Sequence, residues 1–348
     1  MSPRATVAIA LCALGLAGPA QAKTAPAADT TAVGAIRSEA RAVAPLARAP
    51  LTRAFLRATD ALPHVATRAV YRDSARTRAW TEAEANALPD TLRARLVRRD
   101  LDETFYYTTR YGSPLAYMRP LEILSEHGVT SVDGKRILDF GYGTVGHLRL
   151  LASLGADMVG VEVDPLLRAL YSAPGDQGAI ARARQPGVPL QKGTGHLELV
   201  DGRWPADAAA RAAVGDRYDV VMSKNTLKNG YIHPARAADP RTLIDLGVSD
   251  SAYVAELARI VKPGGFVLIY NLSPAPSKPE EPYKPWSDGR CPFARPVWEA
   301  AGFEVLEFDR TDDEAARAMA HALGWDSGEH PMDLTNDLFS HYTLARRR

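Results

Sequence analysis

The stretch Arg136-Ile137-Leu138-Asp139-Phe140-Gly141-Tyr142-Gly143-Thr144-Val145-Gly146-His147 decides the fold: an apolar run ends in a glycine-rich turn that opens a helix. Working outward, apolar runs alternate with helical patterns. Strands are expected over 136–140, 157–163, part of 188–200, 218–223, 265–271, 303–309 and 338–345. Helices are expected around 147–154, 165–172, 250–261 and 293–301, and 115–124 has the apolar spacing of a helix packed on a sheet. Short strands alternating with helices imply an α/β protein with a doubly wound, parallel sheet. The chain closes differently, on the strands 303–309 and 338–345 with no long crossover helix after the second.

The glycines at 141, 143 and 146 let the backbone turn sharply and approach a ligand with no Cβ in the way. The next strand ends Val161-Glu162-Val163-Asp164-Pro165, and a carboxylate at that tip can accept hydrogen bonds from both hydroxyls of a ribose. A glycine loop followed by an acidic strand tip about 20 residues on is the general nucleotide-binding arrangement of these sheets. Alone it suits a nicotinamide or flavin cofactor as well as S-adenosylmethionine. Asp139 favours the last, because its charge repels a pyrophosphate and attracts an ammonium.

Further features extend the pattern: Tyr218-Asp219-Val220-Val221-Met222-Ser223, the turn Lys262-Pro263-Gly264-Gly265 between a helix and a strand, Ala301-Gly302-Phe303-Glu304-Val305, and the closing strand pair. Over residues 115–348 the chain resembles the class I S-adenosylmethionine-dependent methyltransferases. The resemblance implies a Rossmann-like, mostly parallel seven-stranded sheet with an antiparallel C-terminal strand. It also implies S-adenosyl-L-methionine as cofactor, with Asp139 toward the methionine ammonium, Gly141, Gly143 and Gly146 beneath the cofactor, and Glu162 on the ribose. The family's Gly-x-Gly-x-Gly departs here to Val145 at its third glycine, with Gly146 one place later. At the third strand tip, Asp201 is a partner for the adenine amino group and Trp204 either stacks on the ring or serves as a core aromatic. Arg110, in the strip Tyr106-Tyr107-Thr108-Thr109-Arg110-Tyr111, either meets the cofactor carboxylate or belongs to a packing strip.

The fourth strand tip, 223–234, is rich in donors and acceptors where the methyl group would meet its acceptor. Asn225 and His233 are the candidate catalytic residues, His233 as proton acceptor or else a solvated loop histidine. The rings of Tyr106, Tyr107, Tyr111 and Tyr231, with the proline-rich segment 272–296, are expected to wall a small, amphipathic acceptor. No Cys/His spacing suggests a metal, and Cys291 reads as a buried, inert thiol.

Residues 1–22 read as a secretory signal peptide: Arg4, an apolar run over 7–17 too short to span a bilayer, and Ala20-Gln21-Ala22 as cleavage site. Residues 23–50 read as a flexible leader and 51–114 as a helical cap, with patterns over 51–57, 65–78 and 81–101 and a capping box at Thr81 and Glu84. The signal peptide, if used, implies an exported, periplasmic or secreted protein with no stable membrane anchor, and otherwise the protein is cytoplasmic. With 42 Lys+Arg against 41 Asp+Glu there is no global field to attract nucleic acid, so a small-molecule substrate is expected. The alternatives are an NAD(P)-dependent oxidoreductase, a non-catalytic exported protein that binds S-adenosylmethionine or S-adenosylhomocysteine, and an aminopropyl transferase, whose Gly-Gly-Gly-Asp-Gly loop is absent.

Overall fold

The computed structural model describes residues 29–109, 112–187 and 193–348. The expected signal peptide therefore lies outside the described residues. The chain opens with helices α1 (Ala32–Val43) and α2 (Pro50–Arg57), then strands β1 (Arg68–Arg72) and β2 (Ala79–Thr81), helices α3 (Glu82–Asn86) and α4 (Asp90–Arg93), strand β3 (Val97–Leu101) and helices α5 (Glu103–Tyr107) and α6 (Met118–Glu126). The alternating region follows: β4 (Arg136–Phe140), α7 (Gly146–Ser153), β5 (Asp157–Glu162), α8 (Pro165–Leu170), β6 (Gly178–Ala181), β7 (Thr194–Asp201), α9 (Ala208–Val214), β8 (Tyr218–Lys224), α10 (Asn229–Ile232), α11 (Asp250–Ile260) and β9 (Val261–Ser273). It ends with α12 (Arg295–Ala300), β10 (Phe303–Thr311), α13 (Asp313–Ala322), α14 (Leu334–Asp337) and β11 (Phe339–Arg347).

The central sheet has the order β10-β11-β9-β8-β4-β5-β7-β6. Strands β7, β5, β4, β8 and β9 pair in parallel, and β11 is inserted antiparallel between β9 and β10. Seven strands with an antiparallel C-terminal strand are as expected. The eighth, β6, is a correction: it pairs antiparallel with β7, and its Gly-Ala-Ile-Ala sequence carries one large apolar residue, too weak a pattern to read. Along each central strand successive residues join opposite cores. Ile137, Val220 and Leu268 pack on the side of α6 and α7, while Leu138, Val221 and Ile269 pack on the side of α9 and α11. This is the doubly wound, Rossmann-like arrangement, buried on both faces. Chain order runs outward from β4 to β5 and β7, then returns to β8 on β4's other side, so the crevice for a ligand opens at the tips of β4 and β8. The Lys-Pro-Gly-Gly turn loops out between Val261 and Phe266, opposite Tyr218 and Val220, with Gly264 at φ 78°.

Of the expected leader over 23–50, residues 29–50 are described, and they are not a flexible leader. Thr31 caps α1 by accepting from the Gly34 N–H, and Val33, Ile36, Ala40 and Val43 are buried in the core that α6 and α7 share. Alanines between these apolar positions, small but strong helix formers, carry the helix. Buried Glu122 of α6 accepts from the backbone N–H groups of Arg48 and Ala49 at 2.8 and 3.0 Å. The all-helical cap over 51–114 is likewise corrected: β2, β1 and β3 form an antiparallel sheet. Arg68, Val70 and Arg72 share one face at a period of two, a strand signal that the surrounding arginines obscured. The capping box at Thr81 and Glu84 is present, but it starts only the five-residue α3.

Because Ile36 is almost fully buried, Ile36→Ala should lower the unfolding free energy by about 2–5 kcal/mol in urea denaturation. A change below about 0.5 kcal/mol, typical of surface sites, would detach α1 from the core.

Candidate functional site

The glycine turn at the end of β4 is held from two sides. Gly141 has φ 75°, donates to Val161 O at 2.9 Å and accepts from the Thr226 hydroxyl at 3.2 Å. A Cβ there would stand 2.2 Å from Thr226 Oγ1, so only glycine fits. Gly143, at φ 61°, faces only a Thr109 methyl at 3.3 Å. Gly146 serves another purpose than the one expected. A Cβ on it would meet Pro114 at 2.8 Å and Tyr107 O at 2.9 Å, so it admits the N-terminal segment against α7 rather than a ligand.

Asp139 is fully buried at the centre of a cluster that the sequence did not reveal. The Tyr117 hydroxyl donates to its Oδ2 at 2.7 Å, and His147 Nε2 hydrogen-bonds the same oxygen. The Tyr117 and His147 rings stack at 3.6 Å, and Lys224 Nζ lies 5.5 Å from the Tyr117 ring centre. Burial lowers the His147 imidazole's affinity for a proton, against Asp139. Burial also pushes the Lys224 ammonium down to about 8, opposed by Asp139. Asp139 Oδ1 is buried with no hydrogen-bond partner among the described residues.

Glu162 and Asp201 stand side by side, paired in register at the tips of β5 and β7. Glu162 accepts from its neighbour Val163 N at 2.8 Å and from Gly143 N at 3.4 Å. Burial pushes both carboxyl groups above their usual range, and nearby Asp164 adds to it. They line a cavity of about 590 Å³ with Phe140, Gly141, Trp204 and Thr226 on the sheet side and the segment Leu243–Leu246 opposite. Trp204 is buried among Phe140, at 6.1 Å, and Tyr253, at 5.3 Å; it is a core aromatic that also borders the cavity, and its indole N–H has no partner among the described residues. Thr77, in the β1–β2 turn, overhangs the rim, a contribution from the small sheet that no sequence signal announced.

The two candidate catalytic residues are separated. Asn225 has φ 65°; its N–H donates to Tyr270 O at 3.1 Å and its side-chain oxygen accepts from Leu272 N at 2.7 Å. It braces β8 against β9. His233 lies on the rim of a second cavity, its Nε2 3.0 and 3.1 Å from the two carboxylate oxygens of Asp250. Tyr106 and Tyr107 are also corrected: both are buried, one donating to Asp176 at 2.8 Å and the other to Pro63 O at 2.6 Å, so they pack rather than wall an acceptor. Arg110 and Tyr111 lie outside the described residues. Cys291 is buried and its thiol is pushed up to about 12 by burial, as an inert thiol should be. Among the described residues no group of His, Cys, Asp or Glu is arranged to hold a metal, and no helix is long and apolar enough to cross a membrane.

Lys228 was not singled out by sequence, yet it is 4% exposed. Its ammonium donates to Leu272 O at 2.6 Å and Trp286 O at 3.3 Å, pinning the proline-rich segment to β9.

No protein-family model matches the chain. No curated protein matches it in sequence either. Solved structures do. A S-adenosylmethionine-dependent methyltransferase from Mesorhizobium loti is 14% identical, with 67% of this chain and 98% of that one covered and a TM-score of 0.36. A SAM-dependent methyltransferase from Methanosarcina mazei is 16% identical over 64% of this chain and 96% of that one, with a TM-score of 0.32. The [4+2]-cyclase SpnF is 16% identical over 70% of this chain and 85% of that one, with a TM-score of 0.38. Likenesses this distant do not bear on the chemistry of the site.

Burial pushes the Lys228 ammonium down to about 7, helped by Lys224. An unfolded lysine titrates near 10.4, so between about 7 and 10 the unfolded chain binds more protons and this group makes stability rise with pH. Urea denaturation at a series of pH values should show that rise in the wild type and a flatter profile in Lys228→Met. Identical slopes would mean that the ammonium is hydrated.

Proposed function

We propose that the chain binds S-adenosylmethionine in the cavity at the β4, β5 and β7 tips and transfers its methyl group to a small-molecule acceptor. The observation that carries this reading is the charge of the cavity. Glu162, Asp201, Asp207 and Asp245 line it against one guanidinium, Arg203. Such a lining disfavours a diphosphate and favours a sulfonium-bearing nucleoside. The residues also fit the ligand by size and kind. The cavity is in the range of cofactor sites, burial raises the Glu162 and Asp201 carboxyls at its wall, and an unpartnered Asp139 oxygen lies in the strand that leads into the glycine turn.

In this reading Glu162 takes the ribose hydroxyls, Asp201 the adenine amino group, and Phe140 and Trp204 form the apolar side of the base site. When bound, the sulfonium supplies an electrophilic methyl group. The chain's own part is to orient the ligand and exclude water, through Leu243, Ile244 and Leu246 across the cavity from the sheet. The balanced charge of the whole chain supports a small molecule over nucleic acid as acceptor. Export supports itself on the first 22 residues: N-terminal sequencing of protein from its native host should give Lys23, and an intact Met1 would contradict it.

Charge-assisted hydrogen bonds are worth roughly 1.5–3 kcal/mol each. Glu162→Ala should therefore weaken S-adenosylhomocysteine at least about tenfold in calorimetry, while NAD(H) binds neither protein. Unchanged affinity would remove Glu162 from the ribose, and tight NAD(H) binding would favour the oxidoreductase instead.

A further inference from the structure

The segment Leu243–Leu246 has a cavity on each side. Beyond it from the nucleoside site lies a second one of about 660 Å³. The segment is fixed to α10 by the Ile244 N–H, which donates to Tyr231 O at 3.0 Å. Tyr231, Ile232 and Val248 give this cavity apolar and aromatic walls.

Its polar lining includes Asp245, Asp250, His233 and Ser249. Asp245 and Asp250 line it, and among the described lining residues there is no lysine or arginine. Asp245 is paired with Arg203, which lines the other cavity, at 2.9 Å. Asp250 has the imidazole of His233 as its partner, with Nε2 within 3.1 Å of both carboxylate oxygens. A carboxylate accepts only, so Nε2 carries the hydrogen in this pairing. Both side chains are open to solvent, His233 at 46% and Asp250 at 32%. An apolar hollow whose described lining carries carboxylates and no lysine or arginine suits one chemical class, a protonated amine on a small apolar body.

We propose that this second cavity binds a small amphipathic amine, with the ammonium on the Asp250 carboxylate beside His233 and the apolar body against Tyr231, Ile232 and Val248. That the bound amine is the methyl acceptor rests on the methyl-transfer reading; amine binding itself does not.

The test uses phenethylamine and phenylacetate, which share a ring and a chain and differ in charge. In calorimetry with the full chain, phenethylamine should bind and phenylacetate should not, and phenethylamine should shift the His233 ring signals in NMR. Asp250→Asn should weaken phenethylamine at least tenfold, and Asp250→Glu should stay within about threefold of wild type, which separates the charge from local disruption. Saturating S-adenosylhomocysteine should change phenethylamine affinity through the shared wall. Equal binding of the two probes, or an Asp250→Asn variant with unchanged phenethylamine affinity, would overturn the proposal. Phenethylamine binding by a wild type that fails to bind S-adenosylhomocysteine would sink the methyl-transfer reading and leave the amine site standing.

Discussion

A carboxylate at the centre of the sheet organises this molecule. Asp139 has no solvent access, and a buried charge is tolerated only when it is paired and hydrogen-bonded. Tyr117 from the turn before α6, His147 from the first turn of α7 and the nearby charge of Lys224 at the end of β8 supply that pairing. Satisfying one residue thus brings together the N-terminal layer, the glycine turn and the strand on the far side of the crevice. Removing one partner of such a group typically costs about 3–5 kcal/mol, so the cluster fixes the shape of the crevice floor.

The rim depends on a second set of charges. Arg68 grips Asp176 with two hydrogen bonds at 2.6 and 2.9 Å, and Arg72 meets Asp164 at 2.8 Å, two residues from Glu162. Arg168 of α8 reaches back to Ala79 O at 2.7 Å. The small sheet is therefore tied to the strand tip that carries the proposed ribose carboxylate, and its β1–β2 turn hangs over the cavity. Arginine suits this work because its planar fork matches a carboxylate with two parallel bonds.

What the sequence disclosed follows from what its signals are made of. The β4–glycine–α7 passage, the Glu162 tip and the antiparallel final strand were legible because β-branched runs, positive-φ glycines and apolar periodicity are local properties. The N-terminal layer was obscure because the Ala-, Thr- and Arg-rich stretch that contains α1 carries few large apolar residues, and because Arg68 and Arg72 occupy an inward face that normally carries apolar residues. Asn225 and Gly146 illustrate a different gap. Their residue types fit ligand contact, but their roles are set by partners distant in sequence, Leu272 for one and Pro114 for the other. The Asp139 cluster joins positions 117, 139, 147 and 224, a conjunction that only the folded topology makes.

The account stands on one location, the cavity bounded by the glycine turn, Glu162, Asp201 and the 243–246 segment. Hydrogen–deuterium exchange of the full chain with and without S-adenosylhomocysteine examines that location directly. Added protection confined to 141–146, 161–165, 201–204 and 243–246 is the expected result. Protection concentrated elsewhere, or none at saturating ligand, would contradict it.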